Sequence, residues 1–186
     1  GYVKGTADKK AEIKNLMLSG KLDITENYRN SFAYSGGLVG GAEYVSFTDI
    51  TTNVAVTAKK GSAPYPWSYV GGFAGTVKNA DFLRCVNNGT VTTDGDYVSG
   101  FAAKSETTTY TSCVNNGAIT GRTKIGGFGG AVKSTKTVDS YNTGTIGLAA
   151  YNGGNQGIGG LFGEMGYGST LTRCYNTGAV TGDCYV

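Results

Sequence analysis

The feature that most constrains this chain is an internal repeat made of two linked blocks. The first block is a glycine pair, or Ser-Gly, followed by Phe or Leu, and its second glycine falls at positions 37, 72, 100, 127 and 160. The second block is Asn-x-Gly, and its asparagines are Asn87, Asn115, Asn142 and Asn176. The glycines are 35, 28, 27 and 33 residues apart, and periods of this size are typical of stacked repeat architectures.

Each copy holds about three short apolar runs, such as residues 72–77, 81–86 and 90–92. Runs this short suit strands, and 32 glycines among 186 residues also disfavour long helices. A coil of this length cannot bury its own inner face, so neighbouring coils must stack at the ~4.8 Å strand spacing. The sequence therefore predicts an all-β, right-handed parallel β-solenoid, or β-helix, of about five irregular coils of 27–35 residues, with the handedness taken from the crossover rule.

The aligned copies predict columns of like side chains that point inward. One such column contains only β-branched residues after its first member and consists of Leu22, Val56, Val91, Ile119, Ile146 and Val180. A second column holds small or apolar residues, namely Leu16, Ile50, Cys85, Cys113, Ser140 and Cys174. Stacking of these columns along the axis would form one continuous core.

The chain divides into an N-terminal capping segment, residues 1–35, and a repeat solenoid, residues 36–186. Within the capping segment we expect Lys10 to Ile24 to form a degenerate, incomplete first coil. The last residues, 183–186, align with residues 95–98, so the solenoid ends at a repeat boundary. We therefore expect a longer native protein, and end-to-end self-contacts through unpaired strand edges.

The four asparagines of the second block, listed above, are expected to be structural. A side-chain amide both donates and accepts hydrogen bonds, so identical asparagines in successive coils can form a ladder along the stack. Each is followed two residues later by a glycine, and these glycines are Gly89, Gly117, Gly144 and Gly178. We expect these glycines to supply a positive φ at the corner.

The glycine blocks resemble the GLUG repeat of large bacterial surface and secreted proteins. The resemblance covers roughly Gly36 to the end and rests on the linked recurrence of both blocks, with first blocks at residues 37–40, 72–75, 127–130 and 160–163. It departs from the pattern at residues 100–103, where the final glycine is lost, and at residues 51–56, where the Asn-x-Gly corner is missing. The resemblance implies an exported, adhesin-like structural or binding module, or the non-catalytic part of an immunoglobulin A metallopeptidase, and it transfers no catalytic residue.

The composition argues against several function classes. Histidine is absent, which removes the commonest general base and zinc ligand, and the acidic residues show no recurring pair. The net charge is only +3, with scattered basic residues, and no apolar run approaches the ~18 residues that cross a bilayer. We therefore predict no catalytic residue, no metal, no cofactor, no nucleic-acid partner and no membrane insertion of this segment.

The cysteines leave two alternatives open. Cys85 and Cys113 occupy equivalent positions in neighbouring coils, so a disulfide is within geometric reach. The same column also accepts Ser140 and Ile50, however, and this favours free, buried thiols. Ligands stacked in one column of a packed interior cannot surround a zinc ion, which argues against a metal site.

The candidate contact surface is an aromatic corner. The long loop from Ala58 to Tyr69 contains both prolines, Tyr65 and the only tryptophan, Trp67, and a second long corner contains Tyr151. Exposed aromatic faces on a stiffened loop offer stacking surfaces, so Tyr65, Trp67, Tyr69 and Tyr151 are the predicted ligand-binding residues. The alternative is that Trp67 folds back and covers the edge of the coil.

These features favour a non-catalytic extracellular structural or adhesion module that belongs to a larger bacterial cell-surface or secreted protein. Its partner would be a host or extracellular protein or a glycan. The alternative is the non-catalytic repeat region of a secreted immunoglobulin A-type metallopeptidase. A polysaccharide-active β-helix enzyme is the weakest of the three, because no acidic pair recurs at a catalytic spacing.

Overall fold

The computed structural model describes residues 1–26, 32–60, 67–149 and 157–182. This part of the chain is all-β and contains no helix. Its strands, in chain order, are β1 Tyr2–Lys4, β2 Ala11–Glu26, β3 Ala33–Gly36, β4 Val39–Glu43, β5 Val45–Lys60, β6 Ser68–Gly71, β7 Ala74–Lys78, β8 Asp81–Leu83, β9 Val86–Asn87, β10 Val91–Thr93, β11 Tyr97–Ser99, β12 Ala102–Glu106, β13 Thr109–Thr111, β14 Val114–Asn115, β15 Ile119–Gly121, β16 Lys124–Gly126, β17 Gly129–Lys133, β18 Lys136–Val138, β19 Tyr141–Asn142, β20 Ile146–Leu148, β21 Gly157–Gly159, β22 Phe162–Met165, β23 Thr170–Thr172, β24 Tyr175–Asn176 and β25 Val180–Thr181.

The strands form three parallel sheets that the chain visits in turn. A five-stranded sheet has the order β3-β6-β11-β16-β21, and a six-stranded sheet has the order β1-β4-β7-β12-β17-β22. The remaining 14 strands form the third sheet, in which β5 pairs with β2, β8, β9 and β10. A typical coil runs from β6 to β7, then through β8, β9 and β10, and returns to the five-stranded sheet as β11. The all-β, parallel, solenoid-like architecture predicted from the repeat is therefore present.

The register of the sheets matches the alignment of the repeats. Val91 pairs with Val56 on one side and with Ile119 on the other, and Ile119 pairs in turn with Ile146. Leu22 and Val180 extend the same column at its two ends. The four central side chains of this column are buried, so the β-branched column predicted from the sequence is confirmed as part of the core.

The long strand β2 forms one edge of the 14-stranded sheet, and it covers the region predicted as a degenerate first coil. It pairs in parallel with β5 along most of its length. Its exposed face carries two ion pairs within the strand, Lys14–Glu12 at 2.9 Å and Lys21–Asp23 at 2.8 Å. Charged side chains on an edge strand oppose further strand pairing, although the same strand also exposes the apolar side chains of Leu16 and Met17.

Two apolar cores lie side by side inside the coils. The first fills the space between the six-stranded sheet and the neighbouring part of the 14-stranded sheet, and its rings stack along the axis. Phe73 and Phe101 stack at a centroid distance of 4.7 Å, and Phe101 and Phe128 at 4.8 Å. The second core lies under the five-stranded sheet and is built from Val and Ile, including Val98 and Ile125.

A buried column of asparagines is linked by hydrogen bonds along the axis. The Nδ2 of Asn87 donates to Asn115 Oδ1 at 2.7 Å, Asn115 donates to Asn142 at 2.6 Å, and Asn142 donates to Asn176 at 2.6 Å. Each Nδ2 also donates to the carbonyl oxygen of the glycine two residues later, at 2.8–2.9 Å. Asn87, Asn115 and Asn142 are fully buried, and these bonds satisfy amides that would otherwise be costly inside an apolar core.

The corner glycines press directly on this column. A Cβ added to Gly72 would lie 2.7 Å from Asn87 Oδ1, and one added to Gly127 would lie 2.8 Å from Asn142 Oδ1. At Gly100 the added Cβ would overlap the amide of Asn115 outright. The corner between the five- and six-stranded sheets therefore dips inward until its backbone touches the asparagines. We call this contact between corner glycine and asparagine the waist of the coil.

The glycines of the Asn-x-Gly block act differently from the expectation. Among the described residues only Gly20 and Gly168 are glycines with a left-handed φ, so the predicted positive φ at the block glycines is wrong. A Cβ on Gly117 would instead overlap the carbonyl oxygen of Gly89 in the neighbouring coil. The left-handed corner positions are filled by non-glycine residues in two columns, one of Tyr44, Asn79, Thr107 and Ser134, and one of Asn15, Asp49, Arg84, Ser112, Asp139 and Arg173.

A second polar ladder runs along the surface beside the buried one. Asn88 Nδ2 donates to Asn53 Oδ1 at 2.9 Å, and Asn116 Nδ2 donates to Asn88 Oδ1 at 2.8 Å. Thr143 Oγ1 continues the series by donating to Asn116 Oδ1 at 2.7 Å. Its donors point towards the N-terminal coils, whereas those of the buried column point towards the C-terminal coils. The two ladders together fix the axial spacing of this corner on both faces.

The close approach at the waist predicts a sharp contrast between two glycines. Gly100→Ala should destabilise the fold by at least ~2 kcal/mol, because the methyl group cannot fit without moving Asn115 or the adjacent backbone. Gly147→Ala should be neutral or stabilise by about 0.4–1 kcal/mol, since a Cβ there meets nothing within 4 Å. Urea unfolding followed by circular dichroism measures both, and equal effects would contradict the waist.

Candidate ligand-binding groove

The inward dip of the glycine corner leaves a concave surface on the outside of the coils. At Gly75 an added Cβ would lie 2.6 Å from the main-chain nitrogen of Ser35 and 2.8 Å from the main-chain carbonyl oxygen of Tyr69. The backbones of the five- and six-stranded sheets therefore come close at this corner. A cavity of about 400 Å³ opens on this side and is lined by residues of both sheets. Its volume lies within the range typical of small-ligand sites. We call this cavity and its aromatic rim the groove.

One wall of the groove is aromatic. Tyr69 stacks on Tyr34 with a centroid distance of 5.4 Å and on Tyr97 with 4.6 Å. Phe32 lies 5.9 Å from Tyr69, and Trp67 lies 5.8 Å from Tyr97. We call these five side chains, three of which also lie in one stack, the aromatic wall.

The aromatic wall follows from strand register. Tyr34, Tyr69 and Tyr97 are paired neighbours in the five-stranded sheet, and Lys124 is the next residue in the same column. The residue after each of the last three is Val70, Val98 or Ile125, and these point into the second core. Because side chains alternate along a strand, the column that precedes them must point outward.

The structure brings two of the four predicted binding residues together. Trp67 is 52% exposed, so its ring lies against Tyr97 while a large part faces solvent, and it does not fold back into the coil. Tyr69 is only 6% exposed because it is sandwiched between two tyrosines. Tyr65 and Tyr151 lie outside the described residues. Tyr97 was not among the residues predicted from the sequence to bind a ligand, although it stands at the same offset from its glycine block as Tyr69.

Lysines line both walls of the groove. Lys104, in the six-stranded sheet, has its Nζ 5.8 Å from the centroid of the Tyr69 ring. Lys124 Nζ lies 5.2 Å from the Tyr97 ring, and Lys133 Nζ lies 4.6 Å from the Tyr167 ring. Contacts of ammonium groups with aromatic faces at these distances are attractive. The groove therefore combines flat aromatic faces with fixed positive charge.

The ionisation states in the groove are set by burial and by neighbouring groups. Burial, together with the adjacent Tyr97 and Tyr34 hydroxyls, raises the pKa of Tyr69 to about 12, so this phenol is neutral at physiological pH. Burial lowers the pKa of Lys124, but its bond to Glu164 and the nearby Tyr97 outweigh this, and the net pKa is raised. At neutral pH the groove therefore holds a neutral Tyr69 phenol and a charged Lys124 ammonium group.

The predicted asparagine column has no direct access to a ligand. Asn87, Asn115 and Asn142 are fully buried, and their polar atoms are occupied by one another and by backbone oxygens. Their role in the site is indirect, since the waist that they form determines the shape of the groove.

The three cysteines that the structure describes are free thiols. Cys85 and Cys113 are buried, and Cys174 is partly exposed. The fourth cysteine, Cys184, lies outside the described residues. Cys113 Sγ lies 3.3 Å from the Thr111 oxygen and 3.5 Å from the Phe82 oxygen, as expected for a thiol donating to main-chain carbonyls. In the part of the chain that the structure describes, no group of three or more potential ligands could hold a metal ion. No helix among these residues could span a membrane.

A buried carboxylate supports the aromatic wall from behind. Glu26 is 1% exposed and lies next to Ser35 and Ser68, which belong to the strands that carry Tyr34 and Tyr69. Its Oε1 accepts a hydrogen bond from Ser35 Oγ at 3.3 Å, whereas its Oε2 is buried without a hydrogen-bond partner among the described residues. Burial raises the pKa of Glu26, because the charged form loses its hydration.

This burial predicts a pH-dependent stability. The pKa of Glu26 is raised in the folded chain, so proton binding to this carboxyl stabilises the fold. That stabilisation is fully present below the unfolded-state pKa of about 4.3, and it is lost as the pH rises through the folded-state pKa. Glu26→Gln should therefore raise the melting temperature at pH 7, because the amide has no charge to lose hydration on burial. The difference should vanish below pH ~4. Calorimetry across this pH range measures it, and a lower melting temperature of the variant at pH 7 would contradict this assignment.

Comparisons of the chain with protein-family models, with curated proteins and with solved structures each returned no match.

Proposed function

We propose that this chain is a non-catalytic structural and adhesion module of an extracellular or cell-surface protein, and that it binds an extracellular partner in the groove. The observation that carries the proposal is the aromatic wall. Three of its rings, those of Tyr34, Tyr69 and Tyr97, form one stack on a sheet whose strands are paired on both sides over most of its width, so these three are held in place before a ligand arrives. Pre-organised aromatic side chains lose little conformational entropy on binding.

The assignment of the module to a bacterial surface or secreted protein follows from the resemblance to the GLUG repeat. The paired recurrence of glycine block and Asn-x-Gly block supports it, because the two blocks touch at the waist in each of the last four copies. Within the same proposal the coils wind right-handed and number about five, each of 27–35 residues. Parallel pairing between successive coils supports that handedness through the crossover rule.

The binding role predicts that removing the Trp67 ring weakens ligand binding more than removing an equally exposed ring outside the groove. Trp67→Ala should weaken binding to the cognate extracellular ligand about tenfold or more, because a central aromatic contact is worth 1.4 kcal/mol or more. Tyr175→Ala is the matched control, since Tyr175 is also 52% exposed but stacks on Tyr141 in the 14-stranded sheet. An array of glycans and extracellular-matrix proteins probed with wild type and both variants provides the measurement. If wild type and Trp67→Ala bind equally to every array component that wild type binds, the site lies elsewhere.

A further inference from the structure

The groove crosses the strands and runs along the axis of the coils. Its lining comes from four successive repeats, which contribute Tyr69, then Tyr97 and Lys104, then Lys124, and finally Glu164. Strands in neighbouring coils are ~4.8 Å apart, so four coils span roughly 14 Å of the axis. A ligand that fills the groove lengthwise would therefore meet one set of side chains in each coil. This periodicity suits a linear polymer with a regular repeat.

The backbone of the groove walls offers little to an extended peptide. Peptides that bind by strand addition need an unpaired edge, and they lie parallel to the strands. Here β11 and β12 are hydrogen-bonded to a neighbouring strand on each side, so their backbone groups are already used within the sheets. A ligand along the axis must be recognised by side chains alone. The side chains available are aromatic faces and ammonium groups.

The charges of the groove favour an anionic ligand. Three lysines line the cavity, namely Lys104, Lys124 and Lys133, against two glutamates, Glu106 and Glu164. Lys124 is paired with Glu164, and Glu106 lies 3.7 Å from Lys78. Lys104 makes no ion pair among the described residues and is exposed at the mouth of the groove, above the Tyr69 ring. Like Lys133, which is also exposed and has no ion pair among the described residues, Lys104 is free to pair with an anion.

We propose that the groove binds a linear anionic polysaccharide along the axis of the coils, with Lys104 pairing with an acidic group and the exposed rings of the aromatic wall stacking on sugar faces. This inference rests on the proposed binding function and specifies its ligand class. The acidic group is a carboxylate or a sulfate, since an ammonium group pairs with either. The aromatic wall supplies apolar contact area, and the lysine supplies selection against neutral chains.

Isothermal titration with polygalacturonate oligomers, with the same oligomers methyl-esterified, and with heparin oligosaccharides tests the proposal. Wild type should bind at least one of the two acidic polymers, and the affinity should fall as salt is added. Binding to polygalacturonate alone identifies the acidic group as a carboxylate, and binding to heparin alone identifies it as a sulfate. The neutral methyl ester should bind at least tenfold more weakly than any acidic form that binds.

Two variants with the same charge change test the role of the lysine. Lys104→Gln should weaken binding to the acidic polymer by roughly five- to tenfold, which corresponds to about 1–1.4 kcal/mol. Lys136→Gln removes an exposed lysine from the 14-stranded sheet, outside the groove, and should leave the affinity unchanged. Circular dichroism of both variants checks that the fold is intact.

Three results would overturn the anionic ligand class. These are no binding to either acidic polymer, equal affinity for the methyl ester, and equal loss from both lysine variants. A neutral glycan or a protein that binds wild type and loses affinity with Trp67→Ala would also overturn it, while leaving the proposed binding function in place. A loss with Lys104→Gln alone, together with salt-sensitive binding, would support the proposal.

Discussion

The waist, where the corner glycine of each of the last four copies meets the asparagine of the same copy, is the constraint on which the rest of this structure depends. The asparagine column needs hydrogen-bond partners inside an apolar interior, and it finds them in the next coil and in its own backbone. Because the corner glycine has no side chain, its backbone approaches and contacts the asparagine amides on the side that faces away from the Asn-x-Gly block. The interior is thereby divided into a core of stacked rings and a core of Val and Ile.

The groove is the outer consequence of the same contact. A corner that dips inward to reach the asparagines must leave a concavity on the solvent side, and the aromatic column and Lys104 stand on its two walls. The residues of the waist therefore stabilise the coil and also determine the shape of the binding surface, without contacting a ligand themselves. The glycines and asparagines that recur in the repeat build the shape, while positions that differ between copies, such as those of Lys124 and Lys104, help to decide what the shape can bind.

Much of the fold could be predicted because each coil repeats the same physical problem. Short apolar runs and aligned columns predict parallel stacking, and the Val91 column lies in the predicted register. The role of the block glycines could not be predicted, because a glycine required by close packing and one required by a positive φ look alike in sequence. In the site, Trp67 could be selected from the sequence because it is the only tryptophan. Lys104 could not be selected, because it enters the groove only through the bend between the five- and six-stranded sheets, and no local sequence pattern encodes that bend.

A double-mutant cycle at Gly100 and Asn115 tests the waist most directly. Asn115→Ala alone should cost about 2–4 kcal/mol, because it leaves the amides of Asn87 and Asn142 with unmatched partners in the core. It also removes the atoms that a methyl group at Gly100 would overlap. If the waist is a direct contact, Gly100→Ala should cost at least ~1 kcal/mol less in the Asn115→Ala background than in wild type, as measured by urea unfolding. Additive costs within ~0.5 kcal/mol would contradict it.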